Sequence, residues 1–360
     1  MIRIVVENDP AVRLAPAVLD PSFPEEGRRA FADFLAHDEP DFAGWLAALH
    51  KRIPGLFPAS CVIVDTPEEL RRELADADGV IIEGLRFGAE ELAAAPRLKF
   101  VQKFGGLAGN IDIEACAKRN VAVDVQRRRV NVAVAEQGFM FMIALAKRIT
   151  ELNGRIDEAA LRSAGFRPDP FNRRFTVNSN FARVPGLRTL HGSVLGALGL
   201  GEIGREVASR AKAFGMRTLY HQRTRLSVVE EDRFGVRYVS MDELLRESDF
   251  VSIHLPLTDA TRGLFNRDTF ARLKPGAIVV NTARAEIVDH AAVVEALKSG
   301  RLGGFALDTG YQEPAKPDEP LKRFPNVILT PHTAPANRQN VLEDMEEMCL
   351  KMWAALKARP

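Results

Sequence analysis

Val194-Leu195-Gly196-Ala197-Leu198-Gly199-Leu200-Gly201-Glu202-Ile203-Gly204-Arg205 places three glycines at G-x-G-x-x-G spacing, directly behind an apolar run and at the head of a helical pattern. Each glycine has its own reason. Gly199 permits a tight turn, Gly201 has no Cβ and lets a pyrophosphate approach the backbone, and Gly204 lets helix and strand pack closely. The helix start at Glu202 and Ile203 then offers free N–H groups and a partial positive charge to phosphate oxygens. Alone, the pattern is only a glycine-rich turn. Its setting of strand, glycines, helix and second strand is what a dinucleotide site requires. A methyltransferase also has a glycine-rich first turn, usually without all three glycines at this spacing.

The second strand of that unit, residues 217–221, is followed by Gln222, Arg223, Thr224 and Arg225. A carboxylate near this strand end would accept from a ribose 2′-OH and repel a 2′-phosphate. Gln222 stands at that position, and Arg223 and Arg225 could grip a phosphate through charge-assisted hydrogen bonds. The expectation is therefore NADP over NAD. It rests on one position.

Outward from this motif, short β-branched runs alternate with helical stretches along the chain. One series of strands is read at 4–6, 61–64, 80–83, 100–103 and 121–124. A second is read at 193–198, 217–221, 236–239, 250–254, 277–282, 304–308 and 326–329. Apolar strands alternating with helices imply parallel sheets covered on both faces. The expected fold class is α/β with two doubly wound domains. A connecting helix is read over residues 131–152, and a last helix over 337–356 returns to the first domain. The expected boundaries are 1–130 with 336–360 for a substrate-binding domain and 131–335 for an inserted dinucleotide-binding domain. Residues 9–60 read as one or two helices without a strand. Residues 156–190 read as a packed arm, long for a bare loop.

The bulk composition excludes several classes. The chain has 360 residues, Lys+Arg 49 against Asp+Glu 48, and a net charge of +1, so no global field would hold nucleic acid or an anionic membrane. Cys61, Cys116 and Cys349 are odd in number and widely spaced, which suggests neither a disulfide framework nor a metal site. The N-terminal run becomes charged at Glu7 and Asp9, unlike a signal peptide. A cytoplasmic protein is expected, with a small molecule as its partner and neither nucleic acid nor membrane.

Further segments carry a specific resemblance. Gly109-Asn110-Ile111-Asp112, His254-Leu255-Pro256-Leu257-Thr258, Asn281-Thr282-Ala283-Arg284, Ala306-Leu307-Asp308 through Glu313-Pro314, and Thr330-Pro331-His332 occur in this order around the glycine motif. Together they resemble the D-isomer-specific 2-hydroxyacid dehydrogenase family, over residues from about 101 to 332. The resemblance implies a Rossmann coenzyme domain inserted into a flavodoxin-like substrate domain. The implied reaction is hydride transfer between NAD(P)H and a small 2-oxo or 2-hydroxy acid.

The residue chemistry agrees with that reading. Reduction of a 2-oxo acid needs a cation for the carboxylate, a donor to polarise the carbonyl, and an acid that protonates the oxygen. Arg284 follows an apolar strand, where ligands of α/β sheets collect, and its planar fork suits a carboxylate. His332 also follows a strand and suits proton transfer. Glu313 could pair with it and hold the ring. By itself each is as easily a structural residue or a surface ion pair. It is their order, each near a strand end, that favours catalysis.

The resemblance further implies that Gly106 and Leu107 offer backbone N–H groups to the substrate carboxylate, with Leu107 where glycine is common. It places Pro256, Thr282, neighbouring Ala283 and Asp308 near the nicotinamide and its ribose. Formate dehydrogenases of this architecture carry Gln where Glu313 stands, and phosphite dehydrogenases carry Lys where Gly106 aligns. A dinucleotide-sensing corepressor on the same scaffold is the alternative from another class. Arg127-Arg128-Arg129 reads as a solvated charge run. Phe171, Phe175 and Phe181 in the arm are expected to pack a homodimer contact.

Overall fold

The computed structural model describes residues 1–357; residues 358–360, the tip of the segment expected to rejoin the first domain, lie outside the described residues. The chain divides into two units, Met1–Asn131 with Pro335–Pro360, and Val132–Ala334.

The first unit holds strands β1 (Ile2–Glu7), β2 (Ala59–Val64), β3 (Gly79–Ile82), β4 (Phe100–Phe104) and β5 (Ala122–Gln126). Their order across the sheet is β2-β1-β3-β4-β5, every pairing parallel. This is the flavodoxin-like order. The sheet is apolar on both faces because helices cover both. On one face Ile4, Val6 and Ile81 pack with Leu342, Met345, Met348 and Met352 of the terminal helix Arg338–Lys357. On the other, Val5, Val80 and Val101 pack with Leu70, Leu74 and Leu92. The strand order reverses between β1 and β3, where an α/β sheet usually opens a ligand crevice. Here the Glu7 carboxylate accepts from the backbone N–H groups of Glu83, Gly84 and Leu85 at 2.6–3.0 Å.

The second unit holds β6 (Val194–Leu198), β7 (Arg217–His221), β8 (Val236–Tyr238), β9 (Phe250–Ile253), β10 (Ala277–Asn281), β11 (Leu302–Leu307) and β12 (Val327–Leu329). The order β12-β11-β10-β9-β6-β7-β8 is fully parallel and reverses between β6 and β9. That is the Rossmann order, and the expected fold class is what the chain adopts. Alternate residues of these strands face two separate cores. Leu198, Val251, Val279 and Phe305 join one cluster, and Leu195, Phe250, Ile278 and Ala306 join another with the helix Arg129–Ala146. That helix is long and apolar enough, by length and composition, to cross a bilayer. Its Ala135, Phe139, Phe141, Met142 and Leu145 are core residues here, each fully buried large side chain contributing roughly 1.5–3 kcal/mol.

Three expectations need correction. Residues 9–60 form three helices, Leu14–Leu19, Glu25–Leu35 and Phe42–Arg52, not one or two. The first is buried on every side, so it has no amphipathic period to read. The connecting helix stops at Ala146 because Arg148 adopts a left-handed φ of 52°, its guanidinium forked onto Glu151 at 2.8 and 2.6 Å, before a short turn Ile149–Leu152. The basic run is not simply solvated. Arg129 pairs with Asp344 at 2.6 Å, Glu347 at 2.8 Å and Glu343 at 3.1 Å, and Arg128 pairs with Glu83 at 3.5 Å. The buried Asp344 carboxylate requires such a counter-charge.

Within the arm, the helix Glu158–Ser163 and residues 164–184 pack a small core of Leu161, Phe166 and Val184, with Phe181 against it. Arg183 lies 4.4 Å over the Phe171 ring, while Phe175 stands 75% exposed.

Candidate active site

The loop between β6 and the helix Glu202–Ala213 gives each glycine a separate physical role. Gly199 has φ +86°, and a Cβ there would lie 2.8 Å from the carbonyl oxygen of His254. A Cβ on Gly204 would lie 2.2 Å from the carbonyl oxygen of Gly199, so helix and strand touch through bare backbone. At Gly201 a Cβ would meet nothing within 4 Å. The helix begins at Gly201, which has no side chain to cap it. An open cradle at a helix start, at the point where the strand order reverses, fits a dinucleotide pyrophosphate.

Other buried groups around this edge agree. The hydroxyl of Thr282, just past β10, is buried and has no hydrogen-bond partner among the described residues, and neither has that of Thr309, just past β11. Orphaned buried hydroxyls at a sheet edge are what a bound polar ligand would satisfy. Pro256 stands exposed behind β9, its carbonyl accepting from the Thr261 hydroxyl at 2.7 Å. His254, at the end of β9, accepts or donates through Nε2 to the Ser252 hydroxyl at 2.8 Å, and burial pushes its imidazole down to about 4. It is neutral at physiological pH. Its motif was quoted from the sequence, but nothing there signalled this burial.

At the end of β7, the Gln222 side chain accepts from the Leu200 amide at 2.8 Å and donates to the Thr224 carbonyl at 2.6 Å. It therefore braces the glycine loop. Arg225 is forked onto Glu231 by two hydrogen bonds of 2.8 Å. Arg223 is exposed and has no ion pair among the described residues. Of the two arginines, Arg223 is the one at liberty to meet a new anion.

The three residues singled out for chemistry all lie in this second unit, past β10, β11 and β12. Arg284 follows β10 in a loop shaped by fully buried Asn281, whose side chain donates to the Arg284 carbonyl at 2.8 Å and accepts from the Ala283 amide at 2.9 Å. The guanidinium is exposed and uses one N–H on the Ala283 carbonyl at 2.7 Å. Glu313 accepts from the Gly310 amide at 2.9 Å on Oε1, and faces His332 Nδ1 at 3.2 Å on Oε2. The Gly310 amide, then His332 and the charge of Arg284, hold the Glu313 carboxyl below the usual carboxylate range. The three side chains thus share one electrostatic neighbourhood.

His332 has a φ of +55°, uncommon for a residue with a Cβ. Asp308 enforces it. Its backbone carbonyl accepts from His332 N at 2.7 Å, and its buried carboxylate accepts from the Thr330 hydroxyl at 2.6 Å and the amides of Thr333 and Ala334 at 2.9 and 3.0 Å. With Nδ1 facing the carboxylate, Nε2 is the imidazole atom left for chemistry. Asn281 and Thr309 were missed as site residues. Both sit inside motifs quoted from the sequence, but neither residue type alone marks a site.

Gly106 and Leu107 belong to the first unit, exposed in the loop behind β4. Neither amide has a backbone partner among the described residues. No group of three or more His, Cys, Asp or Glu that could hold a metal occurs among the described residues.

Residues 139–334 match the family described as D-isomer specific 2-hydroxyacid dehydrogenase, NAD binding domain. The chain is 38% identical over 259 residues to a glyoxylate reductase of Aeropyrum pernix, covering 71% of this chain and 73% of that protein. Its fold is similar to that of a glyoxylate reductase from Paecilomyes thermophila, at 28% identity and a TM-score of 0.53 over 85% of this chain and 90% of that one. It is also similar to the NAD-dependent formate dehydrogenase from Staphylococcus aureus in complex with NAD, at 25% identity and a TM-score of 0.51 over 96% and 94% of the two chains.

Proposed function

Because the chain belongs to the D-isomer-specific 2-hydroxyacid dehydrogenase family, we propose that it reduces a small 2-oxo acid to the D-2-hydroxy acid, with NADPH as donor and His332 as the acid. The observation that carries this reading is the His332–Glu313 pair at 3.2 Å, within the field of Arg284 and in the same unit as the glycine cradle.

When bound, a nicotinamide cofactor would supply the hydride. The chain's own residues do the rest. Arg284, tethered through one N–H, keeps others for the substrate carboxylate and carbonyl oxygen, and so stabilises the charge that builds on that oxygen. His332 delivers its Nε2 proton to the same oxygen. Glu313, ionised and fixed by the Gly310 amide, holds the ring through Nδ1 and stabilises the imidazolium that precedes transfer. In the reverse direction His332 takes the proton back. Residues 131–335 would bind the dinucleotide through Gly199, Gly201, Glu202, Ile203 and Gly204, with Pro256, Thr282, Ala283 and Asp308 around the nicotinamide end. Residues 1–130 and 336–360 would bind substrate, with the amides of Gly106 and Leu107 on its carboxylate.

NADP over NAD rests on the lack of a carboxylate at Gln222 and on Arg223, which is exposed and unpaired; Arg225 contributes less because Glu231 already holds it. The exposed Ile156, Phe175 and Val177 of the arm suit burial in a homodimer. Three free cysteines suit a reducing cytoplasm.

The test is a panel of glyoxylate, hydroxypyruvate, pyruvate and bulkier branched or aryl 2-oxo acids, with NADPH and NADH in parallel and formate and phosphite as controls. At least one acid is reduced, and His332→Ala loses turnover while still binding cofactor. Failure to reduce any 2-oxo acid, or full turnover by His332→Ala, would overturn the proposal.

A further inference from the structure

Glu313 stands in the segment 309–319, between β11 and the short 3-10 turn Pro320–Arg323. This segment does not rest on packed core throughout. It borders a cavity of about 630 Å³ whose walls include Leu307, Tyr311, Pro314, Leu321 and Leu329, along with the catalytic Glu313 and His332. With a void beside it, the segment depends on its lateral ties for position.

Those ties converge on the head of the helix His290–Lys298, and chiefly on one residue. The His290 ring packs edge-on against Tyr311, with centroids 4.6 Å apart and planes at 80°. Tyr311 in turn donates its hydroxyl to the Val288 carbonyl at 2.8 Å. The other side of His290 reaches the far end of the segment, where Nε2 meets Glu319 Oε1 at 2.7 Å. That same oxygen accepts from the Leu321 amide at 3.1 Å, starting the 3-10 turn. One imidazole therefore clasps both ends of the loop that carries Glu313.

We propose that His290, acting through Tyr311 and Glu319, is a positioning residue for the acid–base pair: it holds the 309–319 segment where Glu313 reaches His332. This rests on the reading of His332 and Glu313 given above. The contact it protects is sensitive, because 3.2 Å is at the long end of the hydrogen-bond range. A displacement of a few tenths of an ångström would release Nδ1 and free the ring to rotate. The nucleotide cradle lies on residues 199–204, and of the clasped segment only Thr309, directly behind β11, borders the cofactor edge, so cutting the clasp should change cofactor affinity little.

The experiment uses the full-length enzyme and a 2-oxo acid it reduces. His290→Ala is expected to lower kcat about tenfold, equivalent to roughly 1.4 kcal/mol of transition-state stabilisation, with the cofactor Kd within about twofold of wild type. If His290 works through Glu313, then adding His290→Ala to Glu313→Gln produces a smaller loss than in the wild type, because Gln keeps an acceptor for Nδ1 but not the charge that the position serves. The reciprocal exchange, His290→Glu with Glu319→His, remakes the hydrogen bond with donor and acceptor swapped but not the ring packing on Tyr311, and so recovers part of kcat. Glu319→Gln gives a milder loss and serves if His290→Ala does not fold, which a thermal melt reveals. Wild-type kcat in both single variants, or a loss in the Glu313→Gln background as large as in the wild type, overturns the inference. If Glu313→Gln is crippled and His290→Ala is not, the positioning role alone is refuted. If Glu313→Gln itself keeps full kcat, the acid–base reading fails and the positioning role goes with it.

Discussion

Replacing Gly201 with alanine adds one methyl group at a point where nothing in the protein lies within 4 Å, and the backbone there, φ −67°, is open to any residue. The fold should not register it: a change at such a site falls within about ±0.5 kcal/mol. The cofactor should. The methyl occupies the space a diphosphate needs to reach the helix amides, and losing one charge-assisted hydrogen bond costs about 1.5–3 kcal/mol. That corresponds to roughly tenfold to hundredfold in Kd. Gly204→Ala is the opposite case. Its Cβ would lie 2.2 Å from the Gly199 carbonyl oxygen, which is backbone and cannot swing aside. Overpacking of that kind costs about 1–3 kcal/mol, or a fall in Tm of roughly 2–12 °C for a unit of this size. Gly199→Ala combines a left-handed φ of +86° with a 2.8 Å approach to the His254 carbonyl and should be destabilised as well. Differential scanning fluorimetry and a nicotinamide-fluorescence titration on the three variants separate the effects. A Gly201→Ala protein that melts early, or that binds NADPH like wild type, would refute this account of the loop.

Other outcomes follow from the same geometry. Arg223→Ala should weaken NADPH by about tenfold while leaving NADH nearly unchanged, since one guanidinium–phosphate contact is removed; an unaltered NADPH/NADH ratio would remove the argument for the phosphorylated cofactor. Asp344→Ala should destabilise the first unit by about 2 kcal/mol in a urea melt, less than for a fully buried pair because Arg129 is 36% exposed and retains Glu343 and Glu347; a change under about 0.5 kcal/mol would mean Asp344 holds nothing. The pH profile of kcat/KM for 2-oxo acid reduction tests the carboxylate. Glu313, held below the usual carboxylate range chiefly by the Gly310 amide, should add no acid limb between about pH 5 and 7. An acid limb there that vanishes in Glu313→Gln would contradict the assignment.

Strand positions were readable from sequence because parallel strands buried on both faces are continuous apolar runs; β6 and β10 are VLGAL and AIVVN, buried throughout. The helices Val228–Phe234 and Arg267–Arg272 escaped notice, being too short and polar to show a period. Their caps, Ser227 with Glu230 and Asn266 on Thr269, were the available signal. Arg284, Glu313 and His332 could be picked out by residue type and by their places after apolar strands. What lay beyond reach was the shell around them. Asp308 bending the chain at His332 and His290 clasping the Glu313 segment act between residues far apart in sequence, and Asn281, though only three residues from Arg284, shapes its loop through buried side-chain hydrogen bonds that residue type does not announce. The commitment of Arg225 to Glu231 was hidden for another reason: a helix turn, not chain proximity alone, brings the two together.

The way the chain threads its two units has a consequence for biosynthesis. Residues 132–334 are one uninterrupted stretch, so that unit can mature as soon as it clears the ribosome. The unit that begins at Met1 cannot. Much of one of its cores is supplied by Leu342, Met345, Met348, Cys349 and Met352, which are translated only after the inserted unit. Until they emerge, the five-stranded sheet must wait with an apolar face uncovered. A nascent chain stalled before codon 338 should therefore expose that face to chaperones while its other half is already protease-resistant.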